Sequence, residues 1–202
     1  MQGVSMRCKI KVVMGNALDA VLDEVAALRI QVFRDWPYCY DGDLDYERRY
    51  LSVYRDNPQA IVVLAIDPAD DRVVGASTGC PLAVHAEDFS AAFAHTAVDL
   101  GTVFYCAESV LLPEYRGQGL GHAFFDERER HARTLGFAHS AFCAVIREPH
   151  QLDHADDKSV LEGFWARRCY APLAGVVATF NWRDVGDEEE TPKLLQFWMR
   201  PL

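Results

Sequence analysis

The run Phe104-Tyr105-Cys106-Ala107-Glu108-Ser109-Val110-Leu111-Leu112 sets a single carboxylate, Glu108, inside an otherwise apolar segment. A partly buried carboxylate can take a proton from an alkyl ammonium, whose pKa lies near ~10, directly or through water. The same position also suits a structural carboxylate held by an arginine or capping a bulge, since buried carboxylates are often paired. Shortly after it come Arg116-Gly117-Gln118-Gly119-Leu120-Gly121, and a helical pattern opens directly out of that turn. The first turn of a helix carries unpaired N–H groups and the positive end of the macrodipole. Glycines let the backbone close around a phosphate, and Arg116 adds a full charge. A base candidate therefore stands one turn away from an anion cradle.

The cradle is not a Walker loop, because no Gly-Lys-Ser/Thr follows it. It is not a dinucleotide fingerprint either, since the glycines fall at 117, 119 and 121 and no β-α-β repeat surrounds them. Val110-x-x-Pro113-Glu114-Tyr115 followed by Arg116-x-x-Gly119-x-Gly121 resembles motif A of the GCN5-related N-acetyltransferase family. The resemblance implies that the turn binds the pyrophosphate of acetyl-CoA. Val110, Leu111, Leu112, Arg116, Gly117, Gln118, Gly119, Leu120 and Gly121 would then form the donor site, with backbone amides near Val110 as oxyanion donors. It implies an α/β fold of one domain over 1–202, with a mixed, mostly antiparallel sheet of about seven strands and about four or five flanking helices. The implied reaction is direct attack of a primary amine on the thioester, with no metal. A non-catalytic acyl-CoA-binding or regulatory module is the competing reading.

Trp36-Pro37-Tyr38-Cys39-Tyr40-Asp41-Gly42-Asp43 interrupts two helical patterns. In the family this segment lines the acceptor pocket, so Trp36, Tyr38, Tyr40 and Asp43 become acceptor candidates for a small amine. Read from the residues alone, it is equally a solvated acidic turn over an aromatic edge. Phe164-Trp165-Ala166-Arg167-Arg168-Cys169-Tyr170 resembles the family's C-terminal Phe-Tyr-x-x-x-Gly-Phe. Trp165 stands where the family has its thiolate-protonating tyrosine, Cys169 where it has glycine, and Lys158 where it has an asparagine.

The remaining elements follow from pattern. Lys9–Met14 reads as the first strand, Asn16 as a cap, and Val21, Leu22, Val25, Leu28, Val32 and Phe33 as one helix face. A second helix is expected over about 44–54. Ala60–Ile66 and Arg72–Gly79 read as a hairpin around the turn residues 67–71. His85–Leu100 reads as a helical or irregular insertion. In the helix after the turn, Leu120, Phe124, His131 and Leu135 are expected on the sheet. Arg128, Arg130 and Arg133 are expected to complement the dipole, with Gly136 as the C-terminal cap. Ser140–Ile146, Val176–Trp182 and Leu194–Arg200 complete the strands. His150, Asp153 and His154 have ligand chemistry, but two loop histidines do not define a metal site.

Half of the 202 residues are hydrophobic and a quarter charged, which suits one sizeable core. The net charge of −10 and the lack of a basic run argue against general nucleic-acid binding. No segment approaches the ~18 apolar residues of a membrane span. The six cysteines form no Cys-x-x-Cys pair and several lie in apolar runs, which suits reduced thiols in a cytoplasmic protein. The resemblance leaves room for a homodimer.

Overall fold

The computed structural model describes residues 8–146 and 155–202, with the side chains of 155–159 excepted. Seven strands form one sheet in the order β1-β2-β3-β4-β5-β7-β6. They are β1 (Lys9–Val13), β2 (Ile61–Ile66), β3 (Val73–Pro81), β4 (Val103–Leu111), β5 (His139–Val145), β6 (Ala171–Trp182) and β7 (Thr191–Pro201). Only β4 and β5 run parallel; every other neighbouring pair is antiparallel. Five α-helices flank it: α1 (Leu22–Phe33), α2 (Leu44–Asp56), α3 (Ala86–Phe93), α4 (Leu120–Thr134) and α5 (Ala155–Arg167). This is the expected mixed architecture.

Helices α1 and α2 cover one face of the sheet's first half, and α3 covers the same face of its second half. Phe89 and Phe93 of α3 pack edge-on against Phe197, and Phe89 also meets Tyr105 and Phe180. The insertion between β3 and β4 is therefore the lid of a second core, built on Val103, Ala141, Val176, Ala178 and Leu195. Helix α4 lies on the opposite face, where Leu120 and Phe124 are buried. Helix α5 joins it there, Phe164 packing on Phe125 and Trp165 on Phe142 and Trp198.

Several local expectations are corrected. Residues Gly15–Ala20 form a 3-10 helix, and α1 starts only at Leu22. Asn16 lies inside that 3-10 helix, whose N-cap is Met14 without a side-chain cap bond. Gly15, at φ +56°, lets the chain turn there instead. Leu135 is exposed, because it is the C-cap just past the end of α4, where the chain turns away from the sheet. Gly136 takes φ +85° and closes α4, with Gly136 N bonded to Arg133 O and Phe137 N to Ala132 O. Arg128 is not a surface charge complementing the dipole but is fully buried.

Candidate active site

β4 and β5 pair only over Val103–Tyr105 opposite His139–Ala141. β4 runs on to Leu111 and β5 to Val145, so the two strands part beyond Tyr105. From Cys106 onward, β4 turns toward β5 a backbone edge that no strand among the described residues pairs. Such an edge calls for another hydrogen-bonding partner. On its other side β4 keeps β3, through a bulge. Between the pairs Cys80↔Tyr105 and Thr78↔Glu108, β3 advances 80 − 78 = 2 residues and β4 108 − 105 = 3. The extra residue turns the Glu108 side chain to the α1–α2 side, where Tyr105 also points.

There Glu108 meets charge. Arg29 of α1 bridges two carboxylates: its Nε bonds Glu47 of α2, and its Nη1 pairs with Glu108. The Tyr50 hydroxyl donates to Glu108 Oε2 at 2.8 Å and lies 2.8 Å from the Tyr54 hydroxyl. The Arg29 guanidinium stacks 4.3 Å from the Tyr50 ring centre. Glu47 is fully buried and the Glu108 side chain is 8% exposed. Burial works against the Arg29 charge, and Glu108, Tyr50 and Glu47 more than offset it, holding the guanidinium charged. Burial first, then the Glu108 carboxylate, push the Tyr50 phenol well above its usual range. Arg29 is thus a single guanidinium set between two carboxyl groups, and no second cation is paired with either among the described residues.

The turn has the geometry of a cradle. Gly117 and Gly119 adopt φ +74° and +82°, and a Cβ on either would meet nothing within 4 Å. Gly119 is the left-handed N-cap of α4 and brings no side-chain cap. The helix's first internal bond runs from Ala123 N to Gly119 O, so the N–H groups ahead of it point out of the helix end. Arg116 is exposed, its Nε bonded to Leu111 O at 3.3 Å. Gly121 lies against Phe164 of α5. These residues fit the diphosphate of an acyl-CoA. Val110 and Leu112 bury their side chains, so any ligand contact there runs through backbone. Leu112 N already donates to Val74 O. Beside the turn, a hollow of about 540 Å³ is lined by Asp67, Pro68, Glu114, Tyr115 and Gln118. Its two carboxylates make it unsuited to a phosphate.

The segment from Trp36 to Asp43 straps the α1–α2 side to the far end of the sheet. Tyr40 bridges Asp184, Asp41 N donates to Arg183 O, Val185 N donates to Cys39 O, and Trp182 Nε1 donates to Tyr38 O. The Tyr38 ring packs on Phe33 and Trp182. Burial, then Cys143 and Glu108, push its phenol up, so it lies on the Glu108 side of the parted strands. Burial and then Glu47 push the Tyr40 phenol up. Trp36 is half-buried. Asp43 is exposed and caps α2, its Oδ1 accepting from Tyr46 N at 2.8 Å. Tyr38 and Tyr40 thus stand around the charged cluster, while Asp43 is occupied in the cap. An Asp just before a helix-forming run is a capping signal that the sequence carried.

On the other face, Trp165 is an aromatic wall with no hydroxyl to offer. The buried hydroxyl nearby belongs to Tyr170, 2.7 Å from Ser140 Oγ and donating to Glu129 Oε1 at 3.1 Å. Cys106 Sγ lies 3.3 Å from the same Ser140 Oγ. Cys169 adopts φ +65° and closes α5 in the manner of Gly136, with Cys169 N bonded to Ala166 O and Tyr170 N to Trp165 O. His150, Asp153 and His154, and the Lys158 side chain, fall outside the described residues. Among those described, no group of three His, Cys, Asp or Glu side chains is placed to hold a metal ion, and no helix is long and apolar enough to cross a membrane.

The model of the Acetyltransferase (GNAT) family matches residues 26–153. The chain belongs to that family. No curated protein matches it. Among solved structures it is similar to a ribosomal-protein-alanine N-acetyltransferase from Brucella melitensis, at 13% identity and TM-score 0.61 over 96% of this chain and 99% of that one. A polyamine N-acetyltransferase from Drosophila melanogaster matches at 13% identity and TM-score 0.58, over 96% and 100%. A phosphinothricin acetyltransferase from Sinorhizobium meliloti, solved with acetyl-CoA, matches at 15% identity and TM-score 0.54, over 98% and 89%. At these identities the likeness is one of fold.

Proposed function

We propose that the protein is an acetyl-CoA-dependent N-acetyltransferase whose acceptor is a small primary amine, carried as an ammonium ion. The observation that carries this reading is the Glu108 carboxylate beside the parted β4 and β5, in a cluster of one guanidinium and two carboxyl groups. When bound, acetyl-CoA supplies the acyl group as an activated thioester. The N–H groups at the start of α4 and the Arg116 charge hold its diphosphate. The open β4 edge offers backbone N–H groups to the donor. Holding both reactants in one geometry can supply up to roughly 7–11 kcal/mol of barrier reduction. Arg29 is shared between Glu47 and Glu108, so the cluster has a place for one more cation. Glu108 takes the proton that the ammonium must lose before it attacks, directly or through water. Tyr38 and Tyr40 line the approach. Acetyl-CoA use is supported by family membership and by the acetyl-CoA complex of the Sinorhizobium enzyme.

The test is release of free CoA thiol from acetyl-CoA with a panel of amines and neutral isosteres. Cationic primary amines are expected to turn over and their alcohol counterparts are not. Glu108→Gln keeps the shape and removes the basicity. It is expected to lower kcat by ~10²–10⁴ while CoA affinity stays unchanged. CoA binding without thiol release on any amine would reject the enzyme and leave an acyl-CoA-binding module. Near-normal kcat in the glutamine variant would return Glu108 to a purely structural role.

A further inference from the structure

Arg128 sits in the middle of α4 and is 1% exposed. Its neighbours Arg130 and Arg133 reach Glu127 and Glu129. Among the described residues, Arg128 itself has no carboxylate within ion-pair distance. Its donors are spent on neutral groups: Nε on Phe124 O at 3.2 Å, Nη1 on Thr78 O at 3.1 Å and on Glu108 O at 2.8 Å, and Nη2 on Ser109 Oγ at 2.8 Å. The guanidinium also lies 4.7 Å from the centre of the Phe125 ring. A buried cation without a counter-charge is an expensive way to seal a helix against a sheet. Leu120 and Phe124 already do that with apolar surface.

The position of the fork explains the expense. Thr78 and Glu108 are the register pair that borders the β4 bulge. A single nitrogen, Nη1, ties the carbonyls of both strands where β4 gains its extra residue. β3 yields space for it: a Cβ on Gly79 would come 3.3 Å from Arg128 Cδ and 2.6 Å from the Phe104 ring. A carbonyl that accepts from a guanidinium also polarises its peptide unit, making that unit's N–H a stronger donor.

We propose that Arg128 is a positioning residue for acyl transfer. It clamps the β4 bulge from the α4 side, and so fixes the Glu108 carboxylate and the unpaired β4 edge on the other. The inference rests on the acetyl-transfer reading above.

Arg128→Met, Arg128→Lys and Ser109→Ala test it, with kcat, acceptor KM, CoA affinity by calorimetry and amide hydrogen exchange as readouts. Displacement of reacting groups by about 1 Å can cost on the order of 10²-fold in rate. Arg128→Met is therefore expected to lose about 10- to 100-fold in kcat, with acceptor KM and CoA affinity within about 2-fold. Arg128→Lys keeps the charge without the fork and should fall between. Ser109→Ala should lose a few-fold in kcat without loss of thermal stability, and it carries the test if the methionine variant does not fold. Unchanged kcat in the folded variants, or kcat and CoA affinity falling together, would overturn the clamp. If the wild-type protein transfers no acetyl group, the functional reading fails by itself. Exchange then decides the clamp: faster exchange at Ser109 and Val110 but not at β1 and β2 in the variants upholds it, and uniform exchange overturns it.

Discussion

Cys169 carries a backbone conformation that most side chains avoid. At φ +65° an L-residue with a Cβ costs on the order of 1–2 kcal/mol. Glycine would relieve that strain, at roughly 0.5–1 kcal/mol of extra unfolded-state entropy. Cys169→Gly is therefore expected to stabilise the fold by up to about 1 kcal/mol, read as a higher midpoint in urea. It would also remove an exposed thiol. Cys143, which burial pushes up to about 12, stays protonated at neutral pH, and the other buried thiols are shielded too, so removing Cys169 should leave Cys39 as the one accessible thiol among the described residues. The departure was visible in the sequence as a cysteine in a glycine's place. Its cost was not, because only the backbone angle shows it. The charged cluster was hidden more completely. Arg29, Glu47 and Glu108 come from α1, α2 and β4; an arginine partner for Glu108 is one expected reading, but no spacing announces that the same arginine also serves Glu47. Arg128 was misread for a related reason. Its place in the C-terminal half of an amphipathic helix suits a surface cation, and only the register pair beside the β4 bulge, Thr78 and Glu108, supplies the strand carbonyls that draw it inside.

Among the elements, the strand–turn–helix from β4 to α4 was the most legible, because glycines at fixed offsets and a basic residue must all agree for such a turn to form. The structure adds a control for its function. Gly119 and Gly136 bound the same helix, at φ +82° and +85°, and neither would bring a Cβ within 4 Å of a neighbour. Valine at either position pays the same left-handed strain, roughly 1–2 kcal/mol. Only at Gly119 does the side chain project into the cradle. Gly119→Val is expected to weaken CoA binding by at least about tenfold in calorimetry, some 1.4 kcal/mol. Gly136→Val should lose similar stability and no affinity. Equal CoA affinities in the two variants would place the diphosphate elsewhere. The bulge in β4 was illegible by contrast. Two residues facing one is a property of a strand pair, and a single strand read in isolation alternates without interruption.

At the scale of the whole molecule, the sheet consists of two leaves. β1 to β4 form one and β5, β7 and β6 the other, and Val103–Tyr105 against His139–Ala141 are the register pairs that join them. Beneath them lie two apolar clusters, the second of them roofed by α3. CoA at about 100 times its Kd is expected to raise unfolding stability by about 2.7 kcal/mol. If it fills the gap between the leaves, its protection against hydrogen exchange should appear on both margins, at 106–111 and at 142–145. Protection confined to the α4 turn would mean that only the diphosphate is held. Mechanically, the arrangement is a book with a spine of three residue pairs and a strap, Tyr38 to Asp41, buckled across its open side to Trp182–Asp184. A rigid wedge pushed into such a book loads the spine and the buckle together. If CoA is such a wedge, its binding should slow hydrogen exchange at the buckle, 38–41 and 182–184, as well as at the spine.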